Sequence, residues 1–319
     1  MAVKVLVTHS MSGEDLERIE AVAEGISAEA SRTMEEAMAR AGEVEVIQAG
    51  RWSDELWKAA ARLKWVQSGG AGVERFMTPD FVASPIILTN AQGVYAIPIA
   101  DHVMTFVLHF SRRFNELVRR QIAGEWEGWE ERRSSEELCE KTLGIIGLGG
   151  IGSEVAKRAK AFGMRVIAVR RRPESPSQYA DEVRGADELA WLLRESDFVA
   201  LCSALTHETR HLIGLRELKL MKRTAYLVNI GRGGLVDEQA LIAALREGEI
   251  AGAGLDVFEE EPLPGESPLW DMANVMITPH DAGSSPRSHE RFMALFCENL
   301  RRYVGGEPLL NVVSKRAGY

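Results

Sequence analysis

The chain has 319 residues, 45% of them hydrophobic and 27% charged, which is an ordinary globular composition with room for two domains. Its formal net charge of −9 argues against a nucleic-acid-binding surface, and no apolar run approaches the roughly 20 residues that a membrane span needs. Three widely spaced cysteines predict a reducing, cytoplasmic location without a disulfide framework: Cys139, Cys202 and Cys297.

The N-terminal third alternates strand-like apolar runs with helical segments. Strands are predicted at residues 3–7, 44–48, 65–67 and 86–90, and helices at 28–40 and 54–63. This alternation indicates a parallel sheet, whose ligands bind at the carboxyl ends of the strands. The glycine-rich loop 68–73 follows the third strand. Its glycines either turn backbone N–H groups toward an anion or form a plain tight turn.

Residues 98–123 are predicted to form one long helix, which is apolar in its first half and rich in arginine in its second. Such a helix suits a connection between two domains. Trp126 and Trp129 follow it, outside any predicted strand or helix, where a tryptophan needs a partner surface. They are either buried within their own domain or lie at a subunit interface, where tryptophan is favoured.

The segment 142–169 is predicted to form a strand, a glycine turn, a helix and a second strand. The turn contains Gly147, Gly149 and Gly152 in a G-x-G-x-x-G pattern. The first glycine permits a tight turn, the second lets a pyrophosphate approach the backbone, and the third lets the helix pack close to the strand. The pattern predicts a dinucleotide-binding unit, with phosphates at the helix N-terminus. The alternative is a glycine turn that only tightens packing.

Arginines follow the second strand of this unit, where an NAD-binding site usually carries an acidic residue. They are Arg170, Arg171 and Arg172. A guanidinium can bind a 2′-phosphate with paired hydrogen bonds, whereas a carboxylate would repel it. The pattern therefore predicts a preference for NADP, and the alternative is a solvated basic turn that tolerates NAD.

The second half of the chain continues the alternation, with further strands predicted at 198–201, 225–229, 253–257 and 275–277. Polar or charged residues follow most of these strands: Arg232, Asp256, Glu261 and His280. The carboxyl ends of parallel strands share one edge of a sheet. We therefore expect these residues to converge on one crevice.

Arg232, Glu261 and His280 together form a set suited to hydride transfer at a hydroxyl-bearing carbon. The histidine can exchange the proton, a carboxylate beside it fixes its tautomer, and a guanidinium can bind the carboxylate of a 2-oxo acid. Each residue alone would be interpreted as structural, but their shared position at strand ends favours catalysis. The other histidines, including His102, are interpreted as structural or exposed. No cluster has zinc-ligand spacing, so we expect no metal.

The chain resembles the D-isomer-specific 2-hydroxyacid dehydrogenase family over nearly its full length. The resemblance rests on the glycine turn 147–152 and on the more specific segments 205–209, 228–234, 254–264 and 274–280. It implies an α/β fold of two doubly wound parallel-sheet domains. A Rossmann cofactor domain, residues 98–285, is inserted into a flavodoxin-like substrate domain, residues 1–97 and 286–319. The resemblance also implies a homodimer.

Roles of individual residues follow from the same resemblance. Arg232 binds substrate, His280 is the catalytic acid/base and Glu261 is its partner, while the amides of Ala71 and Gly72 hold the substrate carboxylate. Asp256 faces the nicotinamide carboxamide. The implied cofactor-binding set is Gly147, Gly149, Gly150, Ile151, Gly152, Arg170, Arg171, Thr206, Ile230 and Asp256.

The chain departs from the family pattern at two positions. Arg170 replaces a frequent acidic residue, as in the NADP-preferring glyoxylate and hydroxypyruvate reductases, and Ala204 replaces a common proline. We predict an NADP(H)-dependent enzyme that interconverts a small 2-oxo acid and its D-2-hydroxy acid. Two alternatives stay open: an NAD-dependent dehydrogenase of a larger 2-hydroxy acid, and a nucleotide-sensing dimeric binding protein.

Overall fold

The computed structural model describes residues 2–126, 128, 135–175, 177–316 and 318. The chain divides into two units: unit 1 contains Met1–Tyr95 and Ser285–Tyr319, and unit 2 contains Ala96–Ser284. The roles expected for the two domains, substrate binding and dinucleotide binding, stay predictions. No helix within the described residues is both long enough and apolar enough to cross a membrane.

Unit 1 has a parallel sheet of five strands among its described residues, in the order β2-β1-β3-β4-β5. The strands are β1 (Val3–Val7), β2 (Ile26–Ala30), β3 (Val46–Ala49), β4 (Trp65–Ser68) and β5 (Ile87–Thr89). Helices α1 (Gly13–Glu20), α2 (Met34–Arg40), α3 (Asp54–Ala59) and α4 (Pro79–Ala83) connect them. Hydroxyl groups at the N-caps of the first three helices accept hydrogen bonds from backbone N–H groups: Ser12, Thr33 and Ser53.

The helix predicted at 28–40 is wrong in its first part. The strand β2 occupies Ile26–Ala30 and pairs with β1, and α2 begins only at Met34. Burial alternates along β2, since Ile26 and Ala28 are buried while the residues after them are exposed. The alanine-rich composition suggested a helix, but this period of two belongs to a strand with one buried face.

Unit 2 has a parallel sheet of seven strands in its described part, in the order β12-β11-β10-β9-β6-β7-β8. The strands are β6 (Thr142–Ile146), β7 (Arg165–Val169), β8 (Glu182–Arg184), β9 (Phe198–Leu201), β10 (Tyr226–Asn229), β11 (Gly252–Leu255) and β12 (Val275–Ile277). The strand order reverses at β6, which lies between β7 and β9, and doubly wound folds bind dinucleotides at such a switch point. The two sheets confirm the expected fold class.

The helices of unit 2 are α5 (Ala96–Ser111), α6 (Phe114–Ala123), α7 (Gly150–Ala161), α8 (Leu189–Glu195), α9 (Leu215–Leu218) and α10 (Glu238–Glu247). The prediction of one helix at 98–123 is therefore wrong. Arg113 adopts a left-handed φ of 59° between α5 and α6. Half of α5 is buried in the core, whereas every residue of α6 is exposed or half-buried. The break thus separates a core helix from a surface helix.

Of the two tryptophans after α6, the structure describes Trp126. Trp126 is 90% exposed, so burial within its own domain is wrong for this residue. Trp129 lies outside the described residues. The subunit interface stays a prediction.

The chain returns to unit 1 through helix α11 (Pro286–Val304). The Ser285 hydroxyl caps its N-terminus, and Pro286 stands at the first helical position, where its missing N–H costs nothing. Phe296 of this helix is buried against β4, with its ring centroid 5.6 Å from that of Trp65. The C-terminal helix therefore completes the core of the N-terminal sheet.

Candidate active site

The glycine turn lies between β6 and α7, and its motif glycines are needed for different reasons. Gly147 has a φ of 97°, and a Cβ atom there would lie 2.7 Å from the backbone nitrogen of Ser203. A Cβ atom on Gly152 would lie 2.3 Å from the carbonyl oxygen of Gly147. A Cβ atom on Gly149 would meet no described heavy atom within 4 Å. Two glycines therefore serve packing, and the third leaves a surface open.

The open surface at Gly149 fits a pyrophosphate. Helix α7 begins at Gly150, and its N-cap Gly149 has no side chain to bond the first N–H groups, including that of Ile151. These groups and the helix dipole attract anions. Nearby, the Ser203 hydroxyl is buried and has no hydrogen-bond partner among the described residues. The turn thus suits a dinucleotide, while the individual contacts stay predictions.

Alanine at two of these glycines is expected to separate binding from folding. Gly152→Ala places a methyl group on the Gly147 carbonyl, which we expect to destabilise the protein by about 1–3 kcal/mol. Gly149→Ala leaves the free energy of unfolding unchanged and weakens dinucleotide binding, because its methyl group occupies the open surface. Denaturant unfolding without cofactor and fluorescence titration with NADPH measure the two effects. Unimpaired binding by Gly149→Ala would contradict the pyrophosphate site.

Arg170 and Arg171 follow β7 but have different surroundings. Arg170 donates three hydrogen bonds to main-chain carbonyls: to Leu148 in the glycine turn at 3.0 Å, and to Arg172 and Ser175 at 2.7 Å each. It therefore ties the 170–175 loop to the turn. Arg171 is exposed and forms a salt bridge with Glu208 at 3.1 Å. Their contact with a 2′-phosphate stays a prediction.

Glu261 and His280 lie together at the carboxyl edge of the sheet. The Nδ1 atom of His280 is 2.7 Å from Oε2 of Glu261, and Oε1 of Glu261 accepts the Phe258 N–H at 3.1 Å. The carboxylate is thus fixed at both oxygens. Both side chains keep substantial exposure, 49% for His280 and 36% for Glu261. The imidazole is oriented by the carboxylate and still accessible to a ligand.

The backbone of His280 is strained. Its φ of 53° is left-handed, a conformation that costs a non-glycine residue about 1–2 kcal/mol. The His280 N–H donates to the carbonyl oxygens of Asp256 at 2.8 Å and Thr278 at 3.1 Å, which holds this conformation. His280 therefore keeps its strained conformation through hydrogen bonds to residues that follow two neighbouring strands.

Asp256 is the centre of the hydrogen bonds that hold the 278–282 segment. Its side chain is almost completely buried, and its Oδ1 accepts from the Thr278 hydroxyl at 2.6 Å and the Asp281 N–H at 2.9 Å. Its Oδ2 accepts the Ala282 N–H at 3.1 Å. All three of these bonds run to the segment around His280. The predicted contact of Asp256 with a nicotinamide carboxamide stays a prediction.

His102 is a neighbour of this site that the sequence did not reveal. It projects from α5, with its Nε2 atom 3.0 Å from Oγ1 of Thr278 and 3.9 Å from Oδ1 of Asp256. The two residues that it approaches follow strands far along the chain. Neither the periodicity of α5 nor a motif spacing indicates such a contact, so His102 was interpreted as structural or exposed.

Arg232 lies in a tight turn after β10. The Asn229 side chain holds this turn, because it donates to the Arg232 carbonyl at 3.0 Å and accepts the Gly231 N–H at 3.1 Å. A Cβ atom on Gly233 would lie 1.9 Å from the backbone of Phe258, so this turn packs directly on the segment that leads to Glu261. The structure therefore brings the Arg232 and Glu261 segments into contact, as expected for neighbouring strand ends.

Two further predicted cofactor residues lie at the same edge. Thr206 follows β9 and sits in a turn where its N–H donates to Thr209 Oγ1 at 2.7 Å. Ile230 follows β10 and is buried. Cys202 also follows β9, and burial raises the pKa of its thiol to about 12. It is therefore protonated at neutral pH and unsuited to act as a nucleophile. The described residues contain no side-chain cluster suited to a metal ion.

The loop with Ala71 and Gly72 follows β4 in unit 1. The Ala71 carbonyl accepts a hydrogen bond from the Asn90 side chain at 2.9 Å, and the Gly70 carbonyl accepts the Ala91 N–H at 3.0 Å. These bonds give the loop a defined shape. They do not decide between an anion site and a tight turn, so the predicted carboxylate contact stays a prediction.

The chain is similar to known proteins over most of its length. The model of the D-isomer specific 2-hydroxyacid dehydrogenase family, NAD binding domain, matches residues 104–282. A glyoxylate reductase of Thermococcus gammatolerans is 41% identical over 272 residues, covering 83% of this chain and 80% of that protein. A D-3-phosphoglycerate dehydrogenase of Methanocaldococcus jannaschii is 36% identical over 317 residues, covering 98% of this chain but only 59% of that protein.

A solved structure supports the same relationship. The D-isomer specific 2-hydroxyacid dehydrogenase of Xanthobacter autotrophicus, in complex with NADPH and MES, is 31% identical and superimposes with a TM-score of 0.87. The match covers 100% of this chain and 99% of that one. The family match spans more than half of the chain. The glycine turn 147–152, Arg232, Glu261 and His280 all lie within the matched residues. The chain belongs to the D-isomer specific 2-hydroxyacid dehydrogenase family of NAD(P)-dependent oxidoreductases.

Proposed function

We propose that the chain catalyses the NADP(H)-dependent reduction of a small 2-oxo acid, such as glyoxylate or hydroxypyruvate, to the 2-hydroxy acid of D configuration where the product is chiral. The 2.7 Å bond between His280 and Glu261, beside the family's dinucleotide-binding unit, is the observation that carries this proposal. The glyoxylate reductase relative supports the substrate class, and the NADPH-bound family structure supports the cofactor.

The chemistry divides between the cofactor and three side chains. A bound nicotinamide supplies the hydride that C2 of the 2-oxo acid receives. His280, with Nδ1–H directed at Glu261, donates the proton on Nε2 to the carbonyl oxygen. Glu261 orients the imidazole and stabilises its charged form. Arg232 binds the substrate carboxylate, which guanidinium geometry favours. Ala71 and Gly72 are proposed as further carboxylate ligands through their amides.

Unit 2 is proposed to bind the dinucleotide and unit 1 the substrate. In unit 2, the open surface at Gly149 and the α7 N-terminus take the pyrophosphate. Arg170 and Arg171 lie at the end of β7, where such folds meet the adenosine ribose. A preference for NADP follows from their charge. NAD is the alternative cofactor, because Glu208 already pairs with Arg171.

One experiment tests this function. Glyoxylate, hydroxypyruvate, pyruvate and 3-phosphohydroxypyruvate are each reduced with NADPH and with NADH, and kcat/KM is compared. We expect the first two with NADPH to be preferred. A preference for the phosphorylated acid with NADH would instead favour an NAD-dependent dehydrogenase of a larger acid, which the 3-phosphoglycerate dehydrogenase relative supports. Dinucleotide binding without turnover on any acid would favour the binding-protein alternative.

We also propose that the protein is a homodimer built through α6. This helix exposes apolar side chains at the spacing of one helical face, and Trp126, just after its end, is also exposed. The exposed apolar residues are Phe114, Leu117, Val118, Ile122 and Trp126. A monomer rarely leaves so contiguous an apolar surface uncovered. A second copy is the occupant that the family resemblance implies.

Ile122→Asp tests this interface, because Ile122 is 81% exposed and can be replaced without disturbing a core. We expect the variant to sediment as a monomer where the unmodified protein sediments as a dimer, since a carboxylate would be buried at the apolar contact. The control Leu215→Asp changes an exposed leucine of α9 in the same unit and should leave the dimer intact. A wild-type monomer at high protein concentration would contradict the dimer.

A further inference from the structure

Three side chains form a chain of hydrogen bonds from helix α5 to the segment that carries His280. The Thr278 hydroxyl donates to Oδ1 of Asp256 at 2.6 Å, and the two oxygens of this side chain also accept the N–H groups of Asp281 and Ala282. The Thr278 oxygen is then left as an acceptor for His102, whose Nε2 lies 3.0 Å away. It follows that Nε2 of His102 carries a proton. The donor and the acceptor are therefore determined for both bonds between these three side chains.

The chain of bonds holds His280 from both sides. Thr278 precedes His280 by two residues, and the N–H groups of Asp281 and Ala282, which follow it, also donate to Asp256. Between these anchors His280 keeps its left-handed φ of 53°. A non-glycine residue stays in this region only where its surroundings over-determine it. His102 adds the bond that connects these anchors to α5.

The ring of His102 is itself held in place. It contacts Phe106 edge-on, with 4.8 Å between ring centroids, and its side chain is 23% exposed. Phe106 packs on Gly254 of β11, where a Cβ atom would lie 2.6 Å from the phenyl ring. Gly254 stands two residues before Asp256. Phe106 therefore packs the imidazole indirectly against β11, the strand that Asp256 follows.

We propose that His102 is a positioning residue for proton transfer: by donating to Thr278, it fixes the 278–282 segment in the conformation that directs the His280 imidazole at Glu261. This inference rests on the proposed function, because it concerns the proton that His280 donates. The ring nitrogen of His102 approaches Thr278 and Asp256, which lie next to the proposed catalytic pair. It acts through Thr278 and Asp256 alone.

Variants of His102 test the proposal by steady-state kinetics. His102→Phe keeps a ring but removes the N–H donor, and we expect a roughly tenfold loss of kcat with little change in KM, the size of one hydrogen bond. His102→Gln places an amide N–H at the position of Nε2 and should restore most of kcat. The control is His109→Phe, because His109 is a half-buried histidine on the same helix that also contacts a phenylalanine edge-on. It should retain wild-type kcat.

A double-mutant cycle tests whether His102 and Thr278 act through the same hydrogen bonds. Thr278→Val removes the hydroxyl from the middle of the chain and should lower kcat as His102→Phe does. Both changes break the same series of hydrogen bonds between His102, Thr278 and Asp256. The kcat of the double variant should therefore be no lower than that of the poorer single variant. Additive losses would overturn the proposal, and so would a His102→Phe enzyme that matches His109→Phe.

Crystal structures of His102→Phe and His102→Gln give a readout that does not depend on turnover. In the Phe variant we expect the φ of His280 to leave the left-handed region and the bond to Glu261 to lengthen, and in the Gln variant both should be retained. An unchanged His280 in the Phe variant overturns the proposal even if kcat falls. If the unmodified protein reduces no 2-oxo acid, the proposed function fails, and the His280 conformation alone decides the positioning role.

Discussion

Replacing His280 with alanine should lower kcat for 2-oxo acid reduction by about a hundredfold or more, the usual contribution of a general acid. The imidazole is oriented by Glu261 at 2.7 Å and is half-exposed, so its free nitrogen is available to a substrate oxygen. Steady-state kinetics with NADPH and saturating 2-oxo acid measure the effect. The dissociation constant of NADPH, measured by fluorescence, should stay near that of the unmodified protein.

The chain offers a close control for this prediction. His211 also has a left-handed φ, of 50°, and its Nε2 atom lies 2.5 Å from Oε1 of Glu259, with an exposure similar to that of His280. His211 is not one of the proposed catalytic residues Arg232, Glu261 and His280. His211→Ala should therefore retain wild-type kcat. Equal losses in the two variants would mean that a general effect of removing a His–Glu pair, and not proton transfer, explains the result.

Removing both Arg170 and Arg171 should raise KM for NADPH by roughly ten- to a hundredfold, because charge-assisted hydrogen bonds contribute about 1.5–3 kcal/mol each. NADH lacks the 2′-phosphate, so its kcat/KM should change little. Kinetics of Arg170→Ala/Arg171→Ala with both cofactors measure the difference. A matched control is Arg165→Ala at the opposite end of β7, where an arginine of comparable exposure pairs with carboxylates.

The single variants should differ from each other. Arg171 is held by an exposed salt bridge, which is weak, so it can exchange Glu208 for a phosphate and should account for the NADPH-selective effect. Arg170 already donates to three main-chain carbonyls, so Arg170→Ala alone should raise KM for NADPH less than Arg171→Ala does. Equal kcat/KM for NADPH and NADH in the unmodified enzyme would refute the NADP preference.

Local patterns predicted the parts of the fold that depend on local chemistry. The predictions of the strand at 275–277 and of the glycine turn at 147–152 are confirmed. An apolar run indicates a buried strand, and the glycine spacing indicates a tight turn, so both can be predicted from local sequence. The approach of Glu261 to His280 followed from the shared edge of parallel strands. In contrast, β2 was missed because its alanines favour helices in isolation, whereas pairing with β1 and burial decide its conformation.

The remaining features depend on contacts between residues distant in sequence. The bond from Arg170 to the Leu148 carbonyl joins positions 22 residues apart, and the bond between His102 and Thr278 joins positions 176 residues apart. Such contacts are created by the packing of whole elements. No pattern within one segment encodes them. The break at Arg113 likewise reflects the different burial of α5 and α6.

The bonds of Arg170 have a practical consequence for protein engineering. All three acceptors are peptide carbonyl groups, which every amino acid supplies. The side chains at Arg172 and Ser175 can therefore be exchanged without removing an acceptor, and Arg171 takes no part in these bonds. A library that randomises positions 171, 172 and 175 while retaining Arg170 would vary the side chains of this loop and keep its backbone hydrogen bonds. Selecting its members for activity with NADPH or with NADH would therefore select for cofactor binding by these side chains.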